Sequence, residues 1–180
     1  MVSKIFEKVA HKQVKVAHKQ VYEYFDTNKI LYMNQSGFRQ GFSTETALIG
    51  LTDNIRLNFD QGNLTGMILL DLQKAFDTVD HEILLKKLSA AGLSIPATSW
   101  FGSYLKDRNQ FVELNNTKSD LNPVTCGVPQ GSILGPLLFL LYVNDMTSSV
   151  EKCCNLYLYA DDSGLSVSGK NVKEIENIKL

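Results

Sequence analysis

Residues 155–167 read Asn155-Leu-Tyr-Leu-Tyr-Ala-Asp161-Asp162-Ser-Gly-Leu-Ser-Val167. The first six residues are rich in leucine and tyrosine, which is typical of a β-strand, and residues 164–167 predict a second strand. Two aspartates separate the strands. We therefore predict a β-hairpin with an acidic turn.

Another predicted strand, earlier in the chain, ends in a carboxylate. Residues 66–71 read Gly-Met-Ile-Leu-Leu-Asp71, and such a nearly continuous apolar run predicts a strand buried on both faces. Carboxylates at the ends of apolar strands are costly to desolvate unless a cation or hydrogen bonds compensate. Each aspartate alone is more typical of a solvated turn or a helix cap. Together, Asp71, Asp161 and Asp162 suit two Mg²⁺ ions about 4 Å apart, the arrangement that promotes in-line phosphoryl transfer.

Helices and a further hairpin account for most of the remaining chain. A back-to-back repeat, Val-Ala-His-Lys-Gln-Val, fills residues 9–22 and fits one amphipathic helix. The other predicted elements are a helix capped by Ser43 or Thr44 and ended at Asp60, helices at 81–91, 96–107 and 132–142, a helix beginning in 171–180, and a hairpin of 110–114 with 124–128.

Composition excludes several classes of protein. The chain has 180 residues, 44% of them hydrophobic, and a formal net charge of −1, which predicts one globular domain with no overall attraction to nucleic acid. Cys126, Cys153 and Cys154 fit neither a disulfide framework nor zinc spacing, so we interpret them as reduced intracellular thiols. The apolar run 133–143 is too short to span a membrane, and the first residues do not resemble a secretory signal.

Three segments now stand out together: Asp71-Leu-Gln-Lys-Ala-Phe-Asp-Thr-Val-Asp-His81, Gly127-Val-Pro-Gln-Gly-Ser-Ile-Leu-Gly-Pro136 and Tyr159-Ala-Asp-Asp162. They resemble the A, B and C motifs of reverse transcriptases, and the residues within them are similar to those of non-long-terminal-repeat (LINE-type) retrotransposons. Flanking phrases at residues 3–8, 35–44 and 144–145 are also similar to that family. The resemblance covers essentially the whole chain.

This resemblance implies an α+β, right-hand polymerase fold with an antiparallel sheet packed on helices. Residues 1–62 would form partial fingers and residues 63–180 mostly palm, with room for inserted fingers-type segments. The implied activity is RNA-directed DNA polymerase, with Asp71 and Asp161 as metal ligands and Asp162 as the third carboxylate. Two Mg²⁺ ions, with Mn²⁺ as an alternative, would serve an RNA template, a DNA primer and deoxynucleoside triphosphates in the nucleus or cytoplasm, without a membrane. The oligomeric state stays open.

The resemblance also implies substrate contacts. Phe76 matches the residue that stacks under the incoming sugar and excludes a ribose 2′-hydroxyl, and a core aromatic is the alternative. Arg39 matches a basic fingers residue near the triphosphate or template, and a lone surface arginine is its alternative. Lys74 and His81 suit solvated helix faces. The loop beneath template and nucleotide, which could equally be an ordinary helix-capping loop, comprises Gly127, Pro129, Gln130, Gly131 and Ser132.

Compared with the family pattern, we expect an earlier fingers segment to be missing. We expect the remaining palm motifs, the primer grip and the thumb to be missing as well, because only 18 residues follow Asp162. We therefore expect a truncated polymerase with an intact catalytic centre. The alternative is a non-catalytic remnant that binds nucleic acid or protein. A third hypothesis is a polymerase domain from a group II intron or an RNA-templated RNA polymerase. Phe76 and the LINE-like motif sequences argue against it.

Overall fold

The computed structural model describes residues 2–150 and 153–178. The helices are α1 (Val2–Thr27), α2 (Thr44–Asp60), α3 (His81–Ala90), α4 (Ile95–Leu105), α5 (Gly135–Val143) and α6 (Val172–Glu176), with a 3₁₀ helix at Asn144–Ser149. The strands are β1 (Leu64–Asp71), β2 (Asn109–Gln110), β3 (Glu113–Leu114), β4 (Thr117–Lys118), β5 (Asn122–Pro123), β6 (Cys154–Tyr159) and β7 (Asp162–Gly169).

The chain forms two compact units. The first combines Met1–Gln73 with Val143–Leu180, and the second is Lys74–Tyr142. Helices and antiparallel strands together make an α+β protein. In the described residues, no helix has both the length and the apolarity that crossing a membrane requires.

The first unit is built on a three-stranded antiparallel sheet in the order β1-β7-β6. One face of the sheet carries a buried cluster of Leu156, Leu158 and Leu165, against which Tyr32 and Met146 pack. The other face packs against α2. Two side-chain hydrogen bonds fasten this helix to the sheet, one from Asn58 to Thr65 (2.9 Å) and one from Ser166 to Asn54 (3.4 Å).

Strand β1 differs from its prediction in burial. The strand itself is confirmed, but burial on both faces is wrong, because Leu69 is 75% exposed and Ile68 41% exposed. The reason is its place in the sheet. It pairs with β7 along one side only, whereas a strand buried on both faces occupies the interior of a covered parallel sheet.

Local capping explains where α2 begins. The Ser43 hydroxyl accepts a hydrogen bond from the Thr46 backbone N–H (3.3 Å), and the Thr46 hydroxyl accepts one from the Ser43 N–H (2.8 Å). This reciprocal pair satisfies two amides that the first helical turn leaves without partners. Of the two predicted caps, Ser43 is therefore the one used.

The second unit has an apolar core of its own. Helices α3 and α4 contribute Leu84, Leu88 and Phe101, and α5 contributes a run of leucines that is almost wholly buried. Asp80 caps α3 by accepting a hydrogen bond from the Ile83 N–H at 2.9 Å. The helices predicted here are confirmed, although α5 begins at Gly135 rather than at Ser132.

The predicted hairpin of residues 110–114 with 124–128 is wrong in its pairing. Strand β2 pairs with β5, and β3 pairs with β4 across Asn115 and Asn116, whose φ angles are 49° and 62°. Residues 127 and 128 are not in a strand, because their N–H groups donate to the carbonyls of Val79 (2.7 Å) and Phe76 (2.8 Å).

Candidate active site

Two aspartates face each other at one end of the three-stranded sheet. Asp71 is the last residue of β1 and Asp162 the first of β7, and the antiparallel register pairs them directly. Residues paired in this way have side chains on the same face, with Cβ atoms about 4.5–5.5 Å apart. Both residues are exposed. The fold thus places two carboxylates side by side at the surface.

Asp161 lies beside them in the turn. Tyr159 and Asp162 are paired across β6 and β7, so Ala160 and Asp161 alone connect the two strands. Ala160 has a φ of 58°, a left-handed conformation that lets two residues reverse the chain. The structure therefore brings all three predicted acidic residues to the same end of the sheet.

These carboxylates have no compensating partner in the described parts of the chain. None forms an ion pair within 4 Å, and none accepts a hydrogen bond from another described residue. Like charges directly opposite in a sheet repel each other, and a divalent cation with oxygen ligands would relieve that repulsion. The donor set therefore fits a hard divalent cation.

The described residues offer few protein ligands to such a cation. Across residues 2–150 and 153–178, no three His, Cys, Asp or Glu side chains are grouped so that they could hold a metal ion. Mg²⁺ commonly takes one or two carboxylates and completes its shell with water and substrate phosphates. The arrangement suits an ion that is shared with a phosphate substrate.

A buried glutamine holds the acidic turn in place. Gln35 is 2% exposed, and its Oε1 accepts hydrogen bonds from the N–H groups of Gly37 (2.8 Å) and Ala160 (3.1 Å). Beside it, the Ser36 N–H donates to the Leu158 carbonyl (2.8 Å), and the Leu158 N–H donates to the Asn34 carbonyl (3.0 Å). The segment 34–37 thus lines the edge of β6 and anchors the turn.

Gly37 is required by this close approach. A Cβ atom added there would lie 2.1 Å from the backbone nitrogen of Ala160, well inside van der Waals contact. Gln35 and Gly37 belong to the segment 35–44 that resembles the family, and the sequence predicts no separate role for either residue. A contact across 125 residues leaves no periodicity or spacing signal by which sequence could have found it.

An apolar cavity of about 350 Å³ lies next to the carboxylates, between α2 and the sheet. Leu48 and Leu51 of α2 line it together with Leu69, Tyr157 and Tyr159. Burial raises the pKa of the Tyr157 phenol, and a hydrogen bond with Ser166 opposes that shift in part. The phenol is therefore neutral at ordinary pH and presents no charge to the acidic residues.

Arg39 makes its contacts within the first unit. Its guanidinium donates to the carbonyls of Tyr32 (3.0 Å) and Gln35 (3.3 Å), pairs with Asp26 at 3.5 Å and lies 4.4 Å from the centre of the Phe42 ring. The Arg39 side chain is 10% exposed. It fastens the segment that carries Gln35, and its contact with a substrate stays a prediction.

The predicted substrate loop, Gly127 to Ser132, lies in the second unit and is tied to residues 76–81. Beyond the two backbone bonds already described, His81 Nε2 bonds the Gly127 carbonyl at 2.7 Å, and Gln130 Nε2 donates to Asp77 Oδ1 at 3.0 Å. Gly127 has a φ of 88°, and a Cβ there would lie 2.8 Å from the Asp77 carbonyl oxygen. The loop therefore requires glycine at this position.

Further along this loop, Pro129 and Gly131 lead into α5. Gly131 has a φ of 75°, and the Ser132 hydroxyl accepts a hydrogen bond from the Gly135 N–H at 3.0 Å. Ser132 thus satisfies an amide of the first turn of α5 without being part of the helix.

Phe76, His81 and Lys74 are three further residues of the second unit for which the sequence predicted a role. The Phe76 ring stacks on that of Phe139, with centroids 4.5 Å apart, and keeps part of its surface exposed. Its contact with a sugar stays a prediction. The expectation of a solvated helix face is wrong for His81, which bonds Gly127. Lys74 is exposed as expected, but it lies in a turn with a φ of 52° and not on a helix.

Known proteins are similar to this chain over most of its length. The family model described as "Reverse transcriptase (RNA-dependent DNA polymerase)" matches residues 1–179. A probable RNA-directed DNA polymerase from transposon BS of Drosophila melanogaster is 38% identical over 74% of this chain. The corresponding protein from transposon X-element of the same fly is 34% identical over 89% of the chain. The chain spans 14% and 17% of these two relatives.

A solved structure of similar fold is telomerase from Candida tropicalis in complex with a fragment of telomeric RNA. The TM-score is 0.67 at 15% sequence identity, covering 96% of this chain and 32% of the telomerase chain. At this identity the likeness concerns the fold, and it confirms the predicted α+β polymerase architecture.

Substituting Gly37→Ala tests the support of the acidic turn. The new methyl group would clash with the backbone of Ala160, and we expect a loss of about 1–3 kcal/mol in the free energy of unfolding, measured by urea denaturation. Gly50→Ala is the matched control, since a Cβ at Gly50 in α2 meets nothing within 4 Å and should stabilise the helix by about 0.5–1 kcal/mol. Equal effects of the two substitutions would contradict the proposed close approach.

Proposed function

Because the chain belongs to the reverse transcriptase family, we propose that it carries the polymerase site of an RNA-directed DNA polymerase. In this proposal, Asp71, Asp161 and Asp162 hold two Mg²⁺ ions. The single observation that supports it best is the direct pairing of Asp71 with Asp162. The repulsion between these neighbouring carboxylates is what a bound divalent cation would relieve.

The family match confirms the resemblance that the sequence indicated. The relatives also include an RNA-directed DNA polymerase from mobile element jockey of Drosophila melanogaster. Since this chain spans 14–17% of these relatives, the activity, substrates and partners of a whole polymerase are part of the proposal. So is the assignment of residues 1–62 to partial fingers and residues 63–180 mostly to palm.

The reaction we propose is template-directed. A primer 3′-hydroxyl attacks the α-phosphate of a deoxynucleoside triphosphate, a new phosphodiester bond forms, and pyrophosphate leaves. When bound, the two ions would neutralise phosphate charge and orient the attacking and leaving oxygens. Asp71 and Asp162 would bind the ions at one end of the sheet. The turn that Gln35 anchors places Asp161 at the same end.

Residues of the second unit would select the substrate. Phe76 supports the sugar of the incoming nucleotide, and the loop from Gly127 to Ser132 lies beneath template and nucleotide. The glycines allow the backbone to approach a ligand closely, and Gln130 offers its side-chain amide. From the first unit, Arg39 would add a positive charge near the triphosphate or template.

Primer extension tests the catalytic role of the aspartates. On an RNA template with Mg²⁺ and deoxynucleotides, we expect extension by the native chain and a loss of about 10³-fold for Asp71→Asn and Asp162→Asn, since ion stabilisation amounts to several kcal/mol. Asp53→Asn on the exposed surface of α2 is the matched control and should keep full activity. Extension that survives both active-site substitutions would disprove the assignment, and no extension by the native chain would favour the non-catalytic alternative.

Sugar selection distinguishes the two interpretations of Phe76. A sugar-supporting ring predicts that Phe76→Leu lowers the preference for deoxynucleotides over ribonucleotides, taken as the ratio of kcat/KM values, by about tenfold or more. Phe101→Leu is the control, because Phe101 is 2% exposed and its substitution disturbs a core of the same unit without touching the proposed sugar site. An unchanged ratio for Phe76→Leu, with a loss of stability like that of the control, would leave Phe76 as a core aromatic.

A further inference from the structure

Two cysteines follow each other at the start of β6. Cys154 is the first residue of the strand, and Cys153 lies in the turn directly before it. Neither forms a disulfide, and their Sγ atoms lie 3.9 Å apart. We propose that Cys153 and Cys154 together bind one soft divalent cation, of which Zn²⁺ is the biological example, through both sulfur atoms. This dithiol site lies at the end of β6 opposite to the acidic turn.

The distance between the sulfur atoms fits a cation. A tetrahedral Zn²⁺ ion binds cysteine sulfur at about 2.3 Å, so two of its sulfur ligands lie about 3.8 Å apart. The observed 3.9 Å therefore needs almost no change when an ion binds. A disulfide needs more change, because its Cα atoms lie about 4.4–6.8 Å apart, whereas those of neighbouring residues lie about 3.8 Å apart. The pair is thus better suited to chelation than to oxidation.

The turn before β6 brings the two sulfur atoms together. Successive side chains of a strand point to opposite faces of its sheet, so two neighbouring cysteines inside a strand would be directed apart. Here only Cys154 belongs to the strand, where it pairs with Val167 and packs against the buried leucine cluster of the sheet. Cys153 stays in the turn and is exposed. One sulfur ligand is therefore positioned by the sheet, and the other lies on a residue that solvent reaches.

Two protein ligands make an open site. Among the described residues, no third His, Cys, Asp or Glu side chain is grouped with these cysteines so that it could complete a metal shell. A closed structural zinc site takes four protein ligands, and the three cysteines of the chain do not have that spacing. The remaining positions of a tetrahedral ion would be occupied by water or by a ligand from solution, for which the exposure of Cys153 leaves room.

The softness of the ligands separates the dithiol site from the candidate active site. Thiolate sulfur prefers soft cations such as Zn²⁺ and competes poorly for Mg²⁺, which prefers carboxylate oxygen. Asp71, Asp161 and Asp162 offer oxygen ligands alone. An excess of Mg²⁺ would therefore fill carboxylate sites and leave the cysteines to a soft ion. Since the inference does not depend on polymerase activity, either proposal can fail without the other.

A titration with Cd²⁺ tests the proposal, because cadmium bound to thiolate has a charge-transfer absorption in the ultraviolet that oxygen ligands do not produce. In excess Mg²⁺, the reduced native chain should bind one Cd²⁺ with this absorption, and Zn²⁺ should displace it. Loss of one sulfur removes the chelate, so Cys153→Ser and Cys154→Ser should each weaken binding about 100-fold or more. Cys126→Ser is the matched control, because Cys126 is an exposed cysteine of the second unit, and it should bind as the native chain does.

Three results would overturn the proposal. They are a native chain without the absorption, native affinity for Cd²⁺ in either Cys153→Ser or Cys154→Ser, and loss of binding in Cys126→Ser. Circular dichroism checks the fold of each variant. Should Cys154→Ser disturb the packing of β6, Cys153→Ser decides the question alone, because Cys153 is exposed and lies outside the strand.

Discussion

The antiparallel ladder between β1 and β7 determines where the acidic residues of the first unit lie. Eight residue pairs join the two strands, from Leu64 with Gly169 to Asp71 with Asp162. Side chains alternate between the two faces of a strand, so a shift of one residue would move Asp71 to the face opposite Asp162. The packed leucines on one face and the hydrogen bonds to α2 on the other oppose such a shift. The register of the sheet is thus also the geometry of the candidate metal site.

The turn that carries Asp161 depends on a contact from far away in the sequence. A left-handed alanine costs about 1–2 kcal/mol relative to ordinary backbone, and a typical hydrogen bond contributes about 1 kcal/mol net. The two hydrogen bonds accepted by buried Gln35, with the backbone bonds between residues 34–36 and Leu158, are of the size needed to offset that strain. Arg39 fastens the same segment to Asp26 and Tyr32. The conformation at Ala160 is therefore maintained by the packing of residues 34–39.

Local sequence signals predicted the helices, the acidic hairpin and the strand that ends in Asp71, because capping residues and periodicity act over a few residues. The family resemblance, which the comparisons confirm, rests on motifs of the same short range. The features that the sequence did not predict depend on partners that lie far away along the chain. Strand β1 has the composition of an interior strand but lies at an edge of the sheet. Gly127 and Val128 end a run with the composition of a strand, but they bond to Val79 and Phe76 instead. The bonds of Gln35 to Ala160 and of Asp77 to Gln130 join residues far apart in the chain and leave no periodic trace.

We propose that Asp71 and Asp162 share one of the two divalent cations, because the sheet register places these two residues side by side. The most direct measurement is Mn²⁺ binding, followed by electron paramagnetic resonance, for the native chain, Asp71→Asn, Asp162→Asn and the double variant. A shared ion predicts that each single substitution weakens binding and that the double variant binds little worse than the weaker single, which is a coupling of about 1 kcal/mol or more. Additive effects, or native affinity in either single variant, would contradict the claim.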